Sequence, residues 1–151
     1  MELSQLNLSV IIAKEDKVYR KVEKLQNLLS ELRTRELTDE VINIINEEIA
    51  HINAAASVKE LSRAITKRQH KILTTLERKL KLVAKNHYRN TWMAIGMSAF
   101  GVSLGTAFGA AMDNMGLLAI GIPIGMCIGI AVGSAMDADA QKKGNQLNFS
   151  S

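Results

Sequence analysis

The chain has 151 residues, 47% of them hydrophobic and 4% aromatic, with a formal net charge of +4. Its single cysteine, Cys127, excludes an internal disulfide framework, and its uneven polarity excludes one uniformly soluble domain. All ten glycines lie between Gly96 and Gly144, the sole proline is Pro123, and neither Thr91–Met112 nor Asn114–Met136 holds a charged residue.

In chain order, Met1–Ala13 opens with Glu2 and carries only the short apolar run Val10-Ile11-Ile12-Ala13. A secretory signal needs a basic region followed by an apolar one, so no cleaved leader is expected. Val18, Val22, Leu25, Leu29 and Leu32 follow at spacings of 4, 3, 4 and 3, the seam of an amphipathic helix in coiled-coil register. Thr38 or Asp39 can cap a second helix with its stripe at Ile42, Ile45, Ile49 and Ile52, ending in Ala54-Ala55-Ala56. Ser57 and Glu60 form a capping-box pair before a third stripe at Val58, Leu61 and Ile65, which Leu73, Leu76, Leu80 and Val83 resume. No glycine or proline separates Ser57 from Thr91, so the third helix is expected to run unbroken into the next segment as a stalk. Three such helices bury only a small core, and helices of neighbouring subunits are expected to complete the stripes.

Charge divides the first ninety residues. Residues 1–58 carry 7 Lys/Arg against 10 Asp/Glu, a net of −3, and residues 59–90 carry 10 against 2, a net of +8. The basic block, with Lys67, Arg68, Lys71, Arg78, Lys79, Lys81, Lys85 and Arg89, has three readings: a topology signal, a site for anionic lipid headgroups, or a nucleic-acid surface. Only Tyr88 supplies an interleaved aromatic, so nucleic acid is the least supported partner. Lys81, Lys85 and Arg89, with Tyr88 and Trp92 as an aromatic belt, are the candidate headgroup and interface residues.

The two uncharged stretches, 22 and 23 residues long, match the roughly 20 residues that span a bilayer core. The expected fold is therefore all-α. It consists of a helical region with a basic stalk at 1–90, a transmembrane hairpin at 91–137 with spans near 91–112 and 114–136, and a tail at 138–151. The basic block places the N-terminus in the cytoplasm, and two spans return the tail with Lys142 and Lys143 to the same side. A tight Asp113-Asn114-Met115-Gly116 turn is left outside.

Gly101, Gly105 and Gly109 in the first span, and Gly121, Gly125, Gly129 and Gly133 in the second, recur every fourth residue and give each helix a groove for close packing. Two positions away, about 200° around a helix, a second small ridge holds Ala99, Ser103, Ala107 and Ala111 in the first span. Its counterpart in the second is Ala119, Pro123, Cys127, Ala131 and Ala135. One ridge serves the hairpin and the other is open to a neighbouring subunit, so a homo-oligomer in the bilayer is inferred. Ser98, Ser103 and Thr106 are the residues expected to line any pathway through it. Pro123 removes a backbone donor, and a bend is expected there.

Chemistry-bearing residues are few. His51 follows Glu47 and Glu48 on one helix face, but a di-metal bundle needs further carboxylates, so no metal site and no cofactor are assigned. Arg63 and His70, with six residues between them, loosely resemble the Arg-x4-6-His pattern of HEPN ribonucleases, which usually have a polar residue where this chain has Ala64. Lys85-Asn86-His87-Tyr88-Arg89-Asn90 leads through Trp92–Met97 to Gly121-Ile122-Pro123-Ile124-Gly125-Met126 and Met136-Asp137. Over residues 85–147 the chain resembles uncharacterised small bacterial membrane proteins with a C-terminal glycine-zipper hairpin. The resemblance implies a bacterial origin and the hairpin.

The reading from sequence is a non-enzymatic, homo-oligomeric protein of the cytoplasmic membrane that forms a pore or perturbs the bilayer. The alternative is an anchor whose cytoplasmic helices dock a partner protein, and a remoter one is a HEPN-like ribonuclease.

Overall fold

The computed structural model describes residues 2–8, 12, 17–114, 116 and 118–150. Most of the run at 10–13 and Met115 of the expected turn lie outside these. The chain divides into two compact units, Met1–Val83 with Leu147–Phe149, and Ala84–Gln146 with Ser150–Ser151.

In the first unit α1 (Lys17–Arg33) turns its heptad seam inward, burying Val18, Val22, Leu25, Leu29 and Leu32 together with Leu28. α2 (Asp39–Asn53) buries Val41, Ile42, Ile45, Ile49 and Ile52. Thr38 holds its N-cap position in an extended conformation without a side-chain bond, and Asp39 and Glu40 set negative charge in the first turn, where the helix dipole favours it. At the head of α3 (Val58–Leu80) the serine half of the capping box is formed, and the glutamate half lands one residue early: Glu60 N–H donates to Ser57 Oγ at 3.2 Å. The Glu60 carboxylate reaches back to Ala56 N–H at 3.1 Å.

α3 packs against both α1 and α2 and buries Leu61, Ile65, Ile72 and Leu76. Leu73 and Leu80 are only half-buried, because the spacing 61, 65, 72, 76 keeps one face inward and moves Ile72 into the place expected of Leu73. Leu25, Leu28, Leu32, Ile45, Ile49, Ile52, Leu61, Ile65, Ile72 and Leu76 are all at most 1% exposed in the single chain. Each contributes roughly 1.5–3 kcal/mol of burial. The stripes are thus closed within the chain, not by neighbouring subunits, because α3 offers one face to two helices at once.

The unbroken stalk does not form. Lys81 enters the left-handed region at φ 59, where its N–H returns to Glu77 C=O and Leu82 N–H returns to Leu76 C=O, closing the last turn of α3. The apolar triplet Leu82-Val83-Ala84 is then buried, and Val83–Lys85 (β1) pairs with Gln146–Ser150 (β2) in a two-stranded sheet. Burial of this triplet in an extended strand outweighs the cost, of order 1 kcal/mol, of a non-glycine left-handed residue.

The end of the chain, expected as a tail, is also structured. Gly144 (φ 72) ends the preceding helix in a Schellman turn, with Asn145 N–H on Ala140 C=O and Gly144 N–H on Gln141 C=O. Leu147 and Phe149 are buried at alternate positions of β2, and Asn148 N–H donates to the Glu31 carboxylate of α1 at 2.8 Å.

Candidate functional site: the glycine hairpin and its carboxylate cap

The second unit is built on two helical rods. The first, 25 residues from His87 to Ala111, consists of α4 (His87–Ile95), a π-helical turn (Gly96–Gly101) and α5 (Val102–Ala111). The second, also of 25 residues, is α6 (Leu118–Lys142), which continues as helix through Pro123. Each rod is about 37 Å long, more than a roughly 30 Å hydrocarbon core. The second starts later than residue 114 and ends beyond residue 136, the limits expected from charge alone. Between them Asp113 takes φ 47, Asn114 N–H closes on Gly109 C=O, and Gly116 N–H donates to Asn114 Oδ1 at 3.0 Å, an Asx turn.

The rods meet through backbone. Gly121, Gly125, Gly129 and Gly133 form one buried line along α6, and Gly96, Gly101, Gly105 and Gly109 are buried on the first rod. A Cβ on Gly101 would stand 2.9 Å from Ile122 Cα, one on Gly105 2.8 Å from Leu118 Cα, and one on Gly133 2.5 Å from Arg89 Cα. On Gly121, Gly125 and Gly129 it would press into the Gly101, Gly96 and Trp92 carbonyls respectively, closer still. No larger residue fits such an approach without separating the helices, which is why glycine is used despite its cost in a helix.

The π turn sets the register. In a straight α-helix Gly96 and Gly101, five residues apart, would point about 140° away from each other. In the π turn Val102 N–H bonds Met97 C=O, an i to i−5 bond, and the added residue brings both glycines onto α6. Gly96 is therefore a packing residue that a search for every-fourth-residue spacing leaves out.

The line of α6 does not stop at glycine. Asp137, four residues after Gly133, is 7% exposed and accepts Tyr88 N–H at 3.1 Å and Arg89 N–H at 2.9 Å. These amides begin α4, whose own N-cap, Asn86 at φ 60, makes no side-chain bond. One carboxylate from α6 thus satisfies two orphan donors of α4 and sits at the positive end of its dipole. The continued spacing 121, 125, 129, 133, 137 is the sequence signal for this residue.

Residues 87–139 match the model of the glycine zipper membrane protein family, a span that begins at the first turn of α4 and ends just past Asp137. The match and the two long apolar helices both support membrane association, and the zipper is the hairpin just described. No curated protein and no solved structure matches the chain.

Outside the zipper the hairpin is exposed. Ala99, Ser103, Ala107 and Ala111 of the first rod, and Ala119, Pro123, Cys127, Ala131 and Ala135 of the second, are all exposed. Ile120, Ile124, Ile128, Val132 and Met136 flank the latter as an exposed aliphatic ridge. Ser98 and Thr106 are exposed as well, but their hydroxyls donate to their own helix, Ser98 to Ala94 C=O at 2.9 Å and Thr106 to Ser103 C=O at 3.0 Å. Lys81, Lys85 and Arg89 are exposed, and Tyr88 and Trp92 are half-buried.

The remaining candidates separate. Glu48 is 1% exposed and forms ion pairs with Arg68, at 3.0 Å, and with Lys71. Burial pushes its carboxyl up, but the hydrogen bonds and charges of Lys71 and Arg68 together outweigh this and hold it below its ordinary value. Its oxygens are thus engaged by cations, while Glu47 and His51 are exposed, and among the described residues no three His, Cys, Asp or Glu side chains gather to hold a metal ion. Arg63 lines a depression of about 340 Å³ with His51, Glu60, Lys67 and Arg68, and His70 is not among the residues that line it. The zipper match favours a non-enzymatic membrane protein.

Proposed function

We propose that the chain is a homo-oligomeric protein of the bacterial cytoplasmic membrane, with both termini in the cytoplasm, whose clustered hairpins permeate or perturb the bilayer. The supporting observation is that the glycine faces are used up inside the hairpin while a second set of small residues remains exposed on both rods. A monomeric anchor has no need of that second set, whereas a neighbouring hairpin can use it for close approach. Lys81, Lys85 and Arg89 beside the first rod favour the cytoplasmic side, and labelling of a cysteine placed at position 114 should occur only from outside intact cells.

Neither uncharged stretch can bind an ion through charge, so conduction through a cluster depends on width and wetting, with a hydrophobic constriction as the gate. Ser98, Ser103 and Thr106 of the first rod are the polar groups that line it in this reading. One observation favours a second reading, in which the hairpin only anchors and clusters a helical bundle that docks a cytoplasmic protein. Ser98 and Thr106 spend their hydroxyl protons on their own helix and offer little to water. Reconstitution in dye-loaded vesicles separates the two. In the pore reading Ser103→Lys and Thr106→Lys change leakage or ion preference, and absence of leakage from every variant under voltage or tension, with oligomers intact, leaves the anchor.

A further inference from the structure

Residues 2–7 lie along the first unit in no helix or strand, yet they are held at regular intervals. Asn46 Oδ1 accepts Ser4 N–H at 2.8 Å while its Nδ2 donates to Glu2 C=O at 3.1 Å. Asn53 repeats the pattern three residues on, accepting Asn7 N–H at 3.0 Å and donating to Gln5 C=O at 3.2 Å. Arg33 adds a bond to Ser4 C=O at 3.3 Å. The two asparagines are seven residues apart on α2, about 10.5 Å along a helix, and three extended residues cover about 10 Å. Two helical turns thus match three residues of extended chain, and one side-chain amide meets the N–H and C=O that each repeat presents.

Every one of these bonds goes to main chain. Leu3 and Leu6 are half-buried at the same three-residue period, and Glu2, Ser4, Gln5 and Asn7 are exposed. The fully buried side chains of the bundle come from α1, α2, α3 and, with Leu147, β2, so the segment is an occupant of the surface and not part of the core.

We propose that α2 is a reader of extended main chain, through Asn46 and Asn53, and that in the membrane cluster it takes residues 2–7 of a neighbouring copy in exchange for its own. This rests on the clustering proposed above. Recognition through backbone groups cannot distinguish two identical segments, so exchange replaces each bond by its equal and is limited only by reach and local concentration. Residues 8–16, fully extended, reach about 30 Å, more than the 20–24 Å width of two packed helices. Copies confined to one membrane meet the concentration requirement.

Two full-length partners test this. Copy A carries a photoreactive benzophenone residue in place of Gln5, with Asn46→Ala and Asn53→Ala so that its own groove is disabled. Copy B has residues 2–7 deleted and both asparagines intact, and each copy bears a different tag. Exchange predicts A–B adducts on illumination in membranes, reduced at least about tenfold when copy B also carries the two alanines. If circular dichroism shows loss of helix in the double variant, copy A with its asparagines restored repeats the test. Co-capture of the two tags with adducts confined to copy A, or indifferent to copy B's asparagines, overturns the exchange alone. Failure to co-capture the tags overturns the clustering and the exchange with it.

Discussion

A methyl group on Gly129 would be driven into the Trp92 carbonyl of the facing rod, whereas Ile128, one residue away, is 39% exposed. Gly129→Ala should therefore cost about 1–3 kcal/mol in thermal unfolding of the detergent-solubilised protein, and Ile128→Leu less than about 0.5 kcal/mol. Equal melting of the two would mean that the rods are not in backbone contact. Asp137→Ala orphans the Tyr88 and Arg89 amides, a loss of about 1–2 kcal/mol, and their hydrogen exchange should quicken about tenfold. Unchanged exchange at both would remove the cap.

Glu48 adds a pH dependence. Its folded pKa lies below the ordinary 4.5, so its contribution is fully present above the unfolded value and is lost as pH falls through the folded one. Denaturation of Glu48→Gln should fall short of wild type by roughly 1–2 kcal/mol at neutral pH, a figure kept small because Lys71 remains 58% exposed, and the gap should close in acid. A gap independent of pH would show that the charge is immaterial.

At the scale of elements, apolar spacing locates α1, α2 and the start of α3, because a stripe that must be buried repeats with the helix period, and the length of the two uncharged stretches locates the rods. Its failures have local causes. Nothing in Lys81 announces a left-handed residue, and the end of α3 was decided by β1 pairing with β2, a partner more than sixty residues away. The π turn hides Gly96 by shifting the helix phase, and Asp137 continues the glycine line at a charged position, where an uncharged span ends. The turn at Lys81 also makes a prediction. Lys81→Gly supplies the residue that the left-handed conformation favours, and chemical denaturation should show a gain of about 0.5–1 kcal/mol. A loss would mean that the lysine side chain itself holds the turn.

At the scale of the whole molecule, the bundle and the hairpin each bury a core of their own within the single chain. What remains unpaired is the outer surface of the hairpin, where small residues alternate with an aliphatic ridge from Ile120 to Met136. In the clustering proposed above, finished hairpins meet through this surface, and substitutions on the outer ridge should alter assembly without altering the fold. Native mass measurement of the solubilised particle tests this most directly. The account predicts a discrete multiple of the 16.6 kDa chain, reduced toward one chain by Ala107→Leu together with Ala131→Leu while helix content is retained. A wild-type particle of a single chain, in detergent and in lipid nanodiscs alike, would contradict it.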